Sequence, residues 1–271
     1  MLFRSHPTLT GLVSGAGGLT KTGGGMAVLA GAINGITGGA LQVNGGTLAV
    51  ASGGDVTRMM KVASINVAGG ARLDLSDNDV LVDYAGASPY HTLRGYIRSG
   101  AIISGTSTGD TVLALADNVD TNRTSFAGVS IDTSTIIGKY TYYGDANLDG
   151  KVTGDDYLNV DANLGTGDSW LKGDFNYDGV TTGDDYLAID ANLGKGTTSP
   201  LAYAALKEEM VAAHAALFGE EYLAKLAIAE AEGMGAFVPE PAGLAIFALG
   251  ATLLKRRRSF PLARYSGRGL G

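Results

Sequence analysis

Between residues 11 and 143, apolar and polar positions alternate in short runs cut by pairs of glycines. Leu41-Gln-Val-Asn-Gly-Gly-Thr-Leu-Ala-Val50 reads as a strand, a Gly-Gly turn and a second strand. Ile65-Asn-Val-Ala-Gly-Gly-Ala-Arg-Leu-Asp-Leu75 repeats that unit 24 residues later. Period two sends one side of each strand into a core and the other to solvent. Met26 to Leu29, following Gly23-Gly-Gly25, predicts a further strand, and Val80 to Tyr84 and Ile97 to Ile103 predict two more. A period of roughly 20–50 residues with turn glycines predicts a solenoid, whose coils must stack because none buries its inner row alone. A Gly-rich sandwich or linker is the alternative the pattern leaves open. Residues 76–143 carry no motif beyond these strands.

After 143 the period changes. Tyr157, Val160 and Leu164 fall at i, i+3 and i+7 with Leu158 alongside, and Tyr186, Ile189 and Leu193 repeat the stripe. Each stripe predicts a short helix that ends at a left-handed cap, Gly165 and Gly194. Tyr140 to Tyr143 reads as a strand, so the unit is loop-then-helix, twice. Trp170 in the connector is assigned to packing. Ser199 as N-cap and Pro200 at the first helical position open a helix over 199–232, interrupted at Gly219.

Charge sharpens this picture. The chain has 271 residues and a net charge of −7. From Gly144 to Gly196 there are eleven Asp, no Glu and three Lys, so this segment alone carries −8. Asp without Glu, mixed with Asn and Gly, points to short oxygen ligands on turns. In a twelve-residue EF-hand-type loop, side-chain oxygens come from positions 1, 3 and 5, Gly turns the chain at 6, and a carbonyl serves at 7. Position 9 acts often through water, and a carboxylate closes the shell at 12. Asp145, Asn147, Asp149, Gly150, Lys151, Thr153 and Asp156 fill those slots, and so do Asp174, Asn176, Asp178, Gly179, Val180, Thr182 and Asp185. The copies start 29 residues apart and agree at fifteen of 21 positions over Asp145–Gly165 and Asp174–Gly194. Oxygen-only ligands suit calcium, and two ions are expected. Simple Asx-turns are the plainer reading. Asp155 and Asp184, at position 11, are neighbouring charge.

With Asp at position 12 and a loop-then-helix order, 144–196 resembles a type I dockerin module. The resemblance implies a cohesin-like protein partner on the helix faces and a module that is loose without calcium. Gly15 to Gly25 with Val43 to Val50 resembles an autotransporter-associated β-strand repeat, which implies a right-handed parallel β-solenoid on a bacterial surface protein. Val238, Pro239, Glu240 and Pro241 precede thirteen apolar or small residues, Ala242 to Leu254, and then Lys255, Arg256, Arg257 and Arg258. Thirteen helical residues span roughly 20 Å, short of a bilayer core of about 30 Å. Motif, apolar run and basic cluster together resemble a PEP-CTERM sorting signal, which implies an exosortase-type enzyme as partner and a C-terminal membrane helix. A tail, 259–271, follows. An exported chain needs a leader, and Met1 to Pro7 has no apolar core, so a truncated N-terminus is expected.

The expected order is therefore a β-solenoid over 1–143, a small α calcium-binding module over 144–196, a spacer helix over 199–232 and the sorting segment over 238–258. The reading is of an exported, cell-surface attachment protein and not an enzyme. No cysteine is present, which removes disulfides and thiol chemistry. The only basic run is 255–258, so no nucleic-acid partner is expected. His6, His91 and His214 lie on separate segments, and no G-x-S-x-G or phosphate-loop motif occurs. The alternative is a dockerin-bearing polysaccharide lyase or hydrolase, which would need two facing carboxylates. Its candidates are Asp55, Asp74, Asp77, Asp79, Asp83, Asp110, Asp117, Asp120 and Asp132. Asp74, Asp77 and Asp79 lie in a turn-like run, where Asp serves the backbone.

Overall fold

The computed structural model describes residues 6–33, 39–54 and 56–237. The chain divides into a unit spanning Met1–Glu240 and a second spanning Pro241–Gly271. Asp55, the sorting-type segment 238–258 and the tail lie outside the described residues. No helix among the described residues is long and apolar enough to cross a membrane.

The Gly-rich half coils into a parallel β-solenoid of about three turns, and the chain is mainly β. Its strands are β1 (Thr8–Leu9), β2 (Leu19–Lys21), β3 (Met26–Leu29), β4 (Ala40–Val43), β5 (Thr47–Val50), β6 (Met60–Val62), β7 (Ser64–Val67), β8 (Arg72–Asp74) and β9 (Val80–Asp83). β1, β3, β5 and β8 stack as one parallel sheet, β2, β4 and β7 as a second, and β6 and β9 begin a third. The register sets Leu41 over Ile65 and Val43 over Val67, so the 24-residue repeat is one coil. Alternation then does what the pattern requires: Leu41, Val43, Leu48, Val50, Ile65, Val67 and Leu73 are all buried. Gly46 shows why the turn needs glycine. Its φ is +61°, and a Cβ there would lie 2.1 Å from the Gly25 carbonyl oxygen of the adjacent coil.

Beyond β9 parallel coiling gives way to antiparallel pairing in the third sheet. α1 (Tyr90–Arg98) is followed by β10 (Ile102–Ile103), which pairs with β8. The strand expected over Ile97 to Ile103 is thus corrected: Ile97 closes a helix. The reason is spacing, since Tyr90, Leu93 and Ile97 sit at i, i+3 and i+7, with Tyr90 and Leu93 buried. β11 (Thr111–Asp117), α2 (Asn118–Thr121), the hairpin β12 (Ser125–Phe126) and β13 (Val129–Ser130), and β14 (Thr135–Tyr142) complete this end. β14 lies antiparallel between β9 and β11, so the third sheet ends in antiparallel pairing.

β11 is the edge strand of that sheet, and one phenol closes it. The Leu115 N–H donates to Tyr177 Oη at 2.8 Å, and that hydroxyl donates to the Leu113 carbonyl at 3.0 Å. Tyr177 is fully buried. Tyr177→Phe keeps the ring but strands one N–H and one carbonyl of the edge, with an expected loss of about 1–3 kcal/mol in urea unfolding. A loss under roughly 0.5 kcal/mol would mean that the edge is satisfied without the phenol.

α3 (Tyr157–Asn163) and α4 (Tyr186–Asn192) follow the two loops as expected. Residues 199–232 depart from one helix: Pro200–Tyr203 forms a 3-10 turn, then α5 (Ala204–Phe218) and α6 (Glu220–Glu232) flank Gly219. α5 and α6 pack on each other and on α4. Trp170 is buried between loops and solenoid end, with ring centroids 5.0 Å from Phe175, 5.4 Å from Tyr177 and 6.0 Å from Tyr143.

Candidate functional site

Asp and Asn side chains are short enough to bond the backbone two residues on, and the loops at 145–156 and 174–185 are built from that habit. Asn147 Oδ1 accepts from the Asp149 N–H at 2.9 Å, and Asp149 Oδ1 from the Lys151 N–H at 2.8 Å. In the second copy Asn176 Oδ1 accepts from Asp178 N–H at 2.8 Å, and Asp178 Oδ1 from Val180 N–H at 2.9 Å. Position 4 takes the left-handed conformation in both, Leu148 at φ +59° and Tyr177 at φ +60°. Gly150 and Gly179 follow at +90° and +102°. Sequence identity has become geometric identity.

The carboxylates at positions 1 and 12 close each loop. Asp145 accepts from the N–H groups of Asp149 (2.9 Å) and Gly150 (2.8 Å), and Asp156 from those of Ala146 and Thr153, both 2.8 Å. Asp174 accepts from Gly179 N–H at 3.0 Å, and Asp185 from Phe175 and Thr182 N–H, both 2.8 Å. All four carboxylates are fully buried, and Asn176 nearly so. Asn147, Thr153 and Thr182 are half-buried, whereas Asp149, Lys151, Asp178 and Val180 are exposed. Asp155 holds Asn147 Nδ2 and Thr153 Oγ1, and Asp184 pairs with Lys225 at 2.9 Å, so both position-11 residues act as neighbours.

Among the described residues no three Asp, Glu or His side chains converge as a ready metal cluster, because the loop carboxylates are turned onto backbone N–H groups. One atom is left over. Asp174 Oδ1 is buried and has no hydrogen-bond partner. Burial, then the neighbouring carboxylates Asp145 and Asp155, push Asp156 up to about 7 against the pull of its N–H donors. Burial, with Asp174 adding to it, brings Asp185 to about 7. Burial and then Asp178 bring Asp174 to about 6, and burial raises Asp145. Carboxylates in this state favour a proton or a cation over bare charge. The donor set, all oxygen, fits a hard cation.

No family model matches the chain, and no curated protein or solved structure matches it significantly.

Elsewhere Asp74, Asp77 and Asp79 serve the backbone, whereas Asp83 pairs with Lys61 at 3.0 Å and Asp110 with Lys195 at 2.6 Å. Asp74 accepts from Ser76 and Gly105 N–H, Asp77 from Gly53 N–H, and Asp79 from Tyr140 N–H. A groove of about 590 Å³ runs over the solenoid turns past Gly46, Gly70, Arg72, Tyr96 and Gly100, and no carboxylate lines it. A smaller cleft of about 200 Å³ is lined by His91, Lys172 and three carboxylates, Asp117, Asp120 and Asp168. Asp117 is taken by Ser88 Oγ and by Tyr84 Oη at 3.1 Å, and Asp168 by Lys172 at 3.0 Å. His214 is buried 2.9 Å from Asp190. The sequence reading missed two residues that face the loops, Lys139 and Arg94, because nothing local links them to Asp145 and Asp174.

Proposed function

We propose that the chain is a non-enzymatic, exported cell-surface protein that binds two calcium ions and attaches or assembles through a cohesin-like partner. The observation that carries the calcium reading is the twice-built loop, with buried carboxylates at both ends and one buried carboxylate oxygen, Asp174 Oδ1, left without a partner. Asp145, Asn147, Asp149, Thr153 and Asp156, with the Lys151 carbonyl, would hold one ion. Asp174, Asn176, Asp178, Thr182 and Asp185, with the Val180 carbonyl, would hold the other. Bound calcium would supply positive charge to all four buried carboxylates, of which, among the described residues, only Asp145 and Asp174 have a basic side chain nearby. The dockerin resemblance of 144–196 supplies the partner class, and the PEP-CTERM resemblance of 238–258 supplies the surface location and an exosortase-type enzyme.

The two helix faces are not equally open to a partner. Leu187 on α4 is fully buried where α6 packs, whereas its counterpart on α3, Leu158, is 64 % exposed and Leu164 is 44 % exposed. The α3 face is the docking face in this reading. The carboxylate-free groove over the solenoid turns, and the engagement of Asp74, Asp77 and Asp79 with backbone N–H groups, favour attachment over turnover on that face.

Isothermal calorimetry of the whole chain with calcium, after chelation, tests the proposal. Trp170 is a reporter, since its Nε1–H donates to the Asp145 carbonyl at 2.7 Å within the first loop. Two ions per chain and a fluorescence change reversed by EDTA are expected. No binding up to millimolar calcium would sink the calcium reading and the module assignment with it.

A further inference from the structure

The position-1 carboxylate of each loop meets one basic side chain from the solenoid end, while Arg123 reaches the first loop elsewhere, its Nη2 donating to the Asn147 carbonyl at 2.9 Å. Lys139, on β14, holds Nζ 3.9 Å from Asp145 Oδ2, and Arg94, on α1, holds Nη1 3.5 Å from Asp174 Oδ2. Both basic side chains are 18 % exposed, and both carboxylates are fully buried. A Cβ added at the position-six glycine would lie 3.3 Å from Lys139 Nζ at Gly150 and 3.4 Å from Arg94 Nη1 at Gly179. Each head is tethered to a nearby carbonyl, Lys139 to Leu148 at 2.8 Å and Arg94 to Asp168 at 2.9 Å.

Duplication explains why the loops are alike. It does not explain the cations, which come from a strand and a helix outside the repeat. Two unrelated elements delivering the same charge to the same loop position point to a shared role. A fixed positive charge beside a buried carboxylate steadies the loop when no other cation is there. The same charge repels a divalent cation that needs those oxygens.

We infer that Lys139 and Arg94 are built-in counter-cations, which keep the two loops folded without calcium and set how tightly calcium is held. The inference rests on the calcium reading above. Its signature is a pair of effects with opposite sign. Removing the charge tightens calcium binding and lowers stability in its absence, whereas a side chain that merely packs would lower both.

The test uses the whole chain with Lys139→Gln, Arg94→Gln and the double variant; glutamine keeps a donor for the Leu148 and Asp168 carbonyls. Calorimetry should show calcium held roughly three- to tenfold tighter at one site in each single variant and at both in the double, the range for one partly screened charge. The thermal midpoint in EDTA should fall in all three. Lys139→Arg should keep the parental values. Lys139→Gln, which touches only the first loop, decides the matter alone if Arg94→Gln does not fold. Unchanged or weaker binding in the glutamine variants, with two ions bound by the parent, overturns this inference and leaves the calcium reading standing. A parent that binds no calcium overturns both.

Discussion

Trp170→Ala should unfold the protein more readily than any other single truncation of a packing side chain, by about 3–5 kcal/mol in urea. The indole is fully buried against Phe175, Tyr177 and Tyr143, so alanine leaves a cavity whose walls belong to two different segments. These are the second loop, with Phe175 and Tyr177, and the chain just after β14, with Tyr143; being tied elsewhere, they close on the void only in part. A second loss is polar: the Asp145 carbonyl gives up the Nε1–H that reaches it at 2.7 Å, at the first residue of the first loop. The Trp170 backbone N–H is held separately by Tyr90 Oη at 3.0 Å and survives the substitution. Trp170→Phe retains much of the volume and should cost about half as much, chiefly through the lost donor and the smaller ring. Circular dichroism is the readout, because Trp170 is the only tryptophan. A cost below roughly 1 kcal/mol for the alanine variant would show that the loops and solenoid end cohere without the indole.

What the sequence disclosed depended on how many faces of an element are covered. β4 and β7 are buried on one side, so apolar and polar residues alternate towards their ends, and β3, apolar throughout, is read from the glycines before it. β11 is buried from Val112 to Asp117 on both faces, between solenoid core and loop aromatics, and no alternation survives to be read. α1 did carry a helical stripe, Tyr90, Leu93 and Ile97, but only two turns of it and with Gly95 inside. The loops were legible for a different reason: each Asx-turn and each left-handed glycine demands a residue type, so the repeated spacing alone places the two turn-rich loops. Arg94 and Lys139 answer no local rule. Their place at the loops follows from how α1 and β14 close the solenoid, which is a tertiary fact.

Asp161 and Asp190 occupy the same place in the two copies, and their fates separate the repeat's sequence from its surroundings. Asp190 is fully buried. It accepts from Tyr157 Oη and Tyr222 Oη, each at 2.6 Å, and lies 2.9 Å from His214 Nδ1. These groups come from α3, α6 and α5, so one carboxylate on α4 joins all four helices of this end. Asp161 is exposed on α3 and takes only Tyr186 Oη. Asp190→Ala should cost about 3–5 kcal/mol, since each buried polar group left without a partner costs roughly 1–3 and the site relaxes in part. Asp161→Ala should cost less than about 1 kcal/mol, because water replaces it. Urea unfolding followed by Trp170 fluorescence measures both. Equal losses would mean that α5 and α6 add nothing to the second copy. A wide gap would measure chiefly what those helices contribute, because the two loop–helix copies agree at fifteen of 21 positions.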